Sequence, residues 1–309
     1  MSFPSEQLRL GFIGLGNLGR PLAANLLAAG FPLTVHDRDA ESARPLVAEG
    51  AAWAASPAAV GAASDTVFTC LPSPRAVADV LTGESGLLER LASGGTWIDS
   101  STNDRHELQR LATLAAAQGI ACLEAPVTGG VHLAAVGQIT VIVGGDRKVF
   151  AAHLPVFEVI GRRVFHVGPL GSASVLKVIT NMLAFIHLVA AGEALMLARR
   201  GGLDLAQSFE VIKASSGTSF VHETESQVIL NGSYDIGFTL DLACKDLGLA
   251  HDLGDELGVP LELATLVEQT FGRAREEYGG DAWSPMVVKL LEDAVGTDLR
   301  APGFPSRIF

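Results

Sequence analysis

Lys177 and Asn181 stand four residues apart in the run GPLGSASVLKVITNM, so on a helix they share one face. A lysine in so apolar a helix is expensive to bury unless it is used, and desolvation moves an ammonium pKa toward a range suited to proton transfer. From these two residues alone, the alternative is a lysine snorkelling to the surface beside an unrelated asparagine. The second chemical signal is Gly14-Leu15-Gly16-Asn17-Leu18-Gly19. The pattern G-x-G-x-x-G is common in glycine-rich chains and is weak by itself. Here the apolar run LRLGFI precedes it, the helical run LGRPLAANLLAAG follows it, and Asp37 ends the next apolar run. In that context Gly14 permits a tight turn, Gly16 lets the backbone approach a pyrophosphate, and Gly19 allows close helix–strand packing. The N–H groups and dipole at the helix start complete an anion cradle, so the loop is read as binding a nicotinamide dinucleotide. Asp37 is placed to accept hydrogen bonds from ribose hydroxyls, which favours NAD. Arg38 follows it and is suited to a 2′-phosphate, which keeps NADP open.

The elements that must hold these residues alternate in the first half. LRLGFI, PLTVHD, DTVFTCLP, TWIDSS, ACLEAPV and ITVIVGGD read as strands. PLAANLLAAG (closed by Gly30), ESARPLVAEG, AVADVLTG, GLLERLAS and HELQRLATLAAAQG read as helices. Such alternation predicts βαβ units and a mostly parallel sheet. Beyond Phe165 no convincing strand is found. SASVLKVITNMLAFIHLVAAGEALMLARR, LAQSFEVIKAS, TLDLACKDLGLAHDLGDELG and LELATLVEQTFGRAREEYG are helical, and the tail APGFPSRIF is irregular. The expected architecture is an α/β Rossmann domain with a parallel sheet over residues 1–167. An all-α C-terminal domain for substrate binding and oligomerisation is expected over 168–309.

A chain of 309 residues with 48% hydrophobic and 18% charged residues is an ordinary globular protein. A formal charge of -12 argues against nucleic-acid binding, which needs clustered cations. Cys70, Cys122 and Cys244 show no CxxC spacing and no zinc-like cluster, so they are read as reduced thiols of a cytoplasmic protein without a metal. Met1–Arg9 shows no signal peptide. The segment from Val175 to Ala198 contains Lys177, Asn181, His187 and Glu193, and is read as a buried core or interface helix, not a membrane span.

Several motifs occur in a familiar order: GFIGLGNLGRPLAANL, WIDSST, EAPVTGGVHLAAVGQITVIVGG, GPLGSASVLKVITN, EALMLARRGGLD and KDLGLA. Over nearly its whole length the chain resembles the β-hydroxyacid dehydrogenases, which include 3-hydroxyisobutyrate dehydrogenase and tartronate semialdehyde reductase. The resemblance implies NAD(P)-dependent hydride transfer to or from a small semialdehyde acid or 3-hydroxyacid. It implies that Lys177 is the general acid/base, that Asn181 holds substrate, and that Thr128, Gly129 and Gly130 grip its carboxylate. Leu71, Pro72, Ala76 and Thr102 match cofactor-lining positions, with Thr102 also beside substrate, and Lys245 matches a lysine that reaches the cofactor. Ser215, Ser216, Gly217 and Phe220 match a pocket segment, so Phe220 and His222 are candidates for specificity.

Four positions depart from the family pattern. Glu124 stands where Asp is usual, Thr128 where Ser is usual, Thr180 in place of the first Asn of a pair, and His132 where a small residue is usual. His132 is read either as altering substrate preference or as a surface residue on a helix start. His36, His106, His153, His166, His187 and His251 are read as structural. Relatives form dimers or tetramers, so a homo-oligomer acting on a small anionic substrate is expected. Imine reductases share this architecture but typically lack the lysine, and some relatives without it are inactive interaction modules. Lys177 and Asn181 together count against both alternatives.

Overall fold

The computed structural model describes residues 8–308. The expectation for Met1–Arg9 therefore lies outside the described residues apart from Leu8 and Arg9. The described residues divide into two compact units, the first ending at Lys177 and the second beginning at Val178, so the division falls within one helix.

In the first unit the strands are β1 (Leu10–Ile13), β2 (Leu33–His36), β3 (Ala52–Trp53), β4 (Thr66–Thr69), β5 (Thr96–Asp99), β6 (Ala121–Glu124), β7 (Val127–Thr128), β8 (Ile139–Gly145) and β9 (Gly161–Gly168). Between them lie α1 (Gly19–Ala28), α2 (Arg44–Ala48), α3 (Pro57–Ala63), α4 (Pro74–Thr82), α5 (Arg105–Ala117), α6 (Val131–Ala135) and α7 (Arg147–Ile160). The strand order is β3-β2-β1-β4-β5-β6-β8-β7, with β9 paired to β8. The first six strands are parallel, while β8 runs antiparallel to β6 and β7. Every residue of β1, β4 and β5 is buried, as expected for strands covered on both faces. Alternation sends Phe12, Phe68 and Ile98 into one core and Ile13, Val67 and Trp97 into the other. The order reverses between β1 and β4, the switch point at whose carboxyl ends such sheets generally take up ligands.

Helix α8 (Ser172–Arg200) runs from the first unit into the second, which continues with α9 (Leu205–Lys213), α10 (Phe220–Asn231), α11 (Leu240–Leu257), α12 (Glu262–Tyr278) and α13 (Lys289–Val295). Asp204, Ser219 and Thr239 cap the starts of α9, α10 and α11 through their side chains. By length and a mean hydropathy of 1.7, α8 resembles a membrane span. Its Phe185, Leu188, Leu195 and Met196 instead pack in one core with Leu247, Val267 and Phe271 of α11 and α12.

Two sequence expectations need correction. GLLERLAS forms only a 3₁₀ turn over Leu87–Glu89, because the chain lies hard against α3 at Gly61, where a Cβ would sit 2.9 Å from the Leu91 nitrogen. The last strand extends three residues past Phe165, and Thr239 and Trp283 form an isolated bridge in the helical unit. Helices α3, α7, α10 and α13 and strands β3 and β9 carried no sequence assignment.

Candidate active site

The glycine loop is closed beneath and open above. Gly14 has φ +96°, and a Cβ there would lie 2.3 Å from the carbonyl oxygen of Cys70, just past β4. A Cβ on Gly19, the first residue of α1, would lie 1.9 Å from the Gly14 carbonyl oxygen. Gly16 is exposed and has nothing within 4 Å of its Cβ position, while Leu15 is buried. The space above Gly16 is thus open at the start of α1, the kind of position where free N–H groups favour an anion. Asp37 closes the loop from the end of β2: its Oδ2 accepts from Leu15 N at 2.6 Å and its Oδ1 from Asp39 N at 2.9 Å. Arg38 is exposed beside it.

The ends of β4 and β5 are tied together next to this loop. Leu71 N donates to Ser101 Oγ at 2.9 Å, and Thr69 Oγ1 donates to Asp99 Oδ1 at 2.9 Å. Burial pushes the Asp99 carboxyl pKa up, opposed by hydrogen bonds from Ser101, Asn103 and Thr69. Pro72 is exposed, Ala76 lies in the first turn of α4, where its N–H reaches Ser73 Oγ, and Thr102 is half-buried beyond β5. Beneath Gly14, burial pushes the Cys70 thiol up to about 12; Asp99 adds to this and Lys177 opposes it.

Thr128 ends β7, opposite Thr140 of β8. Gly129 and Gly130 follow at φ +124° and +87°, a path that L side chains rarely take. The His132 ring lies under Gly130, 3.1 Å from where a Cβ would be. It is half-buried, and burial lowers its pKa, so the ring is neutral near pH 7.

Lys177, 8% exposed, lies in the second turn of α8. The first turn is held from β6 by Glu124. Its Oε1 accepts from Gly171 N (2.7 Å) and Ala173 N (2.8 Å), and its Oε2 from Ser174 N (2.8 Å) and Ser174 Oγ (2.5 Å). Burial pushes the Glu124 pKa up while these donors pull it down.

In the second unit, Asn181 Nδ2 donates to Asp246 Oδ2 at 2.5 Å, and Lys245 Nζ pairs with Asp246 Oδ1 at 2.7 Å. Asp246 is buried and was not singled out from the sequence. The signal was present: it falls on the face of α11 that also buries Ala243, Leu247, Ala250 and Gly254. Phe220 begins α10 and is 53% exposed, and Ser215, Ser216 and Gly217 are exposed before it. His222 does not share this exposure. It is 1% exposed, with its ring tilted against Phe209; Nε2 donates to the Phe209 carbonyl at 3.0 Å, so Nδ1 accepts from Ser226. It is a packing residue of the helical unit, which removes it as a specificity candidate. Among the described residues there is no cluster of His, Cys, Asp and Glu suited to a metal, and all three cysteines are unpaired thiols.

Residues 9–168 match the family described as the NAD binding domain of 6-phosphogluconate dehydrogenase. Residues 171–291 match the one described as NAD-binding of NADP-dependent 3-hydroxyisobutyrate dehydrogenase. The 2-(hydroxymethyl)glutarate dehydrogenase of Eubacterium barkeri is 35% identical over 295 residues, covering 95% of this chain and 98% of its own. The NAD-dependent L-serine dehydrogenase of Pseudomonas aeruginosa is 36% identical, covering 93% and 99%. The crystal structure of 3-hydroxyisobutyrate dehydrogenase from Salmonella typhimurium matches at a TM-score of 0.86 and 30% identity, covering 92% of this chain and 100% of that one.

Proposed function

This chain belongs to the β-hydroxyacid dehydrogenase family of NAD(P)-dependent oxidoreductases, and we propose that it moves a hydride between the nicotinamide and a small 3-hydroxyacid or its semialdehyde, with Lys177 as general acid and base. The single observation that carries the lysine's role is its burial in the second turn of α8, a costly position for an ammonium without a use. The bound dinucleotide supplies or accepts the hydride. In reduction the Lys177 ammonium gives its proton to the forming alkoxide and stabilises the negative charge there; in oxidation neutral Lys177 Nζ takes the hydroxyl proton.

Gly14 to Gly19 hold the pyrophosphate, and Asp37 receives the ribose hydroxyls, which favours NAD over NADP. Leu71, Pro72, Ala76, Thr102 and Lys245 line the cofactor. The N–H groups of Gly129 and Gly130 and the Thr128 hydroxyl grip the substrate carboxylate, Asn181 orients the reacting oxygen, and His132 and Phe220 shape the preference for substrate. Hydroxymethylglutarate, hydroxyisobutyrate and serine, which name the relatives' substrates, share a primary alcohol one carbon removed from the carbon bearing the carboxylate. The proposed substrate therefore has the form HOCH2–CHR–COO⁻. Residues 1–167 form the dinucleotide-binding part, and 168–309 serve substrate binding and self-association.

Lys177→Ala is the decisive variant. Turnover with a panel of HOCH2–CHR–COO⁻ acids, read by absorbance of the reduced cofactor, is expected to fall about 10²- to 10⁴-fold. Cofactor affinity, measured by fluorescence titration, is expected to hold. Near-normal turnover in the folded variant would sink the assignment. Wild-type silence with every acid, despite cofactor binding, would favour a non-catalytic module.

A further inference from the structure

Glu124 is 1% exposed, fully engaged, and has no part in the chemistry described above. It ends β6, beside Asp99 on one side and Gly144 of β8 on the other. Its four donors all come from Gly171, Ala173 and Ser174, the entry to α8, and Ser174 lies three residues before Lys177. We propose that Glu124 is the positioning residue for Lys177: the carboxylate clamps the first turn of α8 and so fixes where the lysine's Nζ lies. This rests on the reading of Lys177 as the proton-transfer group.

Three features support the clamp. First, it uses both oxygens, so it fixes the helix end in rotation as well as in height; a single bond would leave the turn free to swivel. Second, every partner is a donor, so only a full carboxylate, with acceptors on both oxygens, satisfies the site. A glutamine would set its NH2 group against a backbone N–H. The carboxylate also offsets the positive end of α8, toward which a lysine in the second turn brings a like charge. Third, the space for the longer side chain is made opposite it. A Cβ on Gly144 would lie 2.1 Å from Glu124 Oε1, and Gly144 is not in the left-handed region, so what demands glycine there is room for this carboxylate. Glu124 and the glycine opposite it on β8 therefore form one fitted pair.

The test uses Glu124→Gln, Gly144→Ala and the double variant Glu124→Asp with Gly144→Ala, each in the full-length chain with cofactor. Glu124→Gln is expected to lower kcat by on the order of tenfold to a hundredfold, the scale of an ångström-sized misplacement, with the cofactor KM held within about twofold. Gly144→Ala is expected to show the same split, because the added methyl displaces the carboxylate. Shortening the side chain in the double variant relieves the contact at Oε1 but leaves the Cγ position 2.9 Å from the added methyl, so a partial recovery of kcat over Gly144→Ala is expected. Unchanged kcat in Glu124→Gln overturns the proposal. So does a fall in kcat matched by an equal loss of cofactor affinity, which marks a general folding role. If Glu124→Gln does not fold, the Gly144→Ala pair decides alone: absence of recovery in the double variant overturns the clamp. Retained activity in Lys177→Ala is a separate outcome that removes the reading of Lys177 itself.

Discussion

Asp37 holds Leu15 N–H with one oxygen and Asp39 N–H with the other, so the residue proposed to read the ribose also braces the glycine loop. A carboxylate has about four lone-pair directions, and two remain for ribose hydroxyls. Asp37→Ala is therefore expected to act twice. Loss of the negative charge raises kcat/KM for NADP relative to NAD by roughly tenfold. Loss of the acceptor leaves Leu15 N–H buried and unpaired, which costs on the order of 1–3 kcal/mol of stability and weakens both cofactors. Paired initial-rate measurements with the two cofactors, alongside thermal melts, check this. An unchanged cofactor ratio would show that Asp37 does not read the ribose.

At the scale of an element, α10 carries a half-buried glutamate with one oxygen closed off from solvent. The Oε2 of Glu225 is buried with no hydrogen-bond partner among the described residues, and burial pushes its pKa from the ordinary 4.5 up to about 8. The folded chain thus holds a proton that the unfolded chain has released between those values. The associated stability is full below pH 4.5 and is lost as pH rises through 8. Glu225→Gln is expected to remove this slope, raising Tm at pH 9 relative to the parent by about 5 °C while changing little at pH 4. Identical pH dependence in parent and variant would contradict it.

What was legible at this scale follows from how local each signal is. The glycine loop, β1, β4, β5 and the whole of α8 were readable because runs of a few residues set their form. Helix α7 was not: Pro155 interrupts its sequence pattern, and the Asp146 cap together with packing of Val156, Phe157 and Ile160 against the sheet core carries it. The contacts around the proposed catalytic helix were unreadable for another reason. Glu124 and Ala173 are 49 positions apart, and Asn181 and Asp246 are 65 apart, so no periodicity joins them.

For the whole molecule, self-association is the expectation with the largest physical consequence. Leu176, Ile179, Leu183 and Leu197 are exposed on α8, spaced to recur along one side of it. A single chain leaves this apolar surface in water, so light scattering coupled to size separation is expected to give a dimer or tetramer at micromolar concentration. A 32.2 kDa species alone would refute it.

The Cys70 thiol has a further consequence for the aldehyde chemistry proposed above. Thiolates add readily to aldehyde carbonyls, whereas protonated thiols are poor nucleophiles. Cys70 lies close enough to Lys177 to feel its charge, yet burial and Asp99 keep its sulfur protonated at any physiological pH. Under the proposed function, a semialdehyde formed beside Lys177 would meet a protonated thiol and no competing sulfur anion. If the proposed reaction is correct, that protonation would spare the chain a covalent adduct with its own aldehyde.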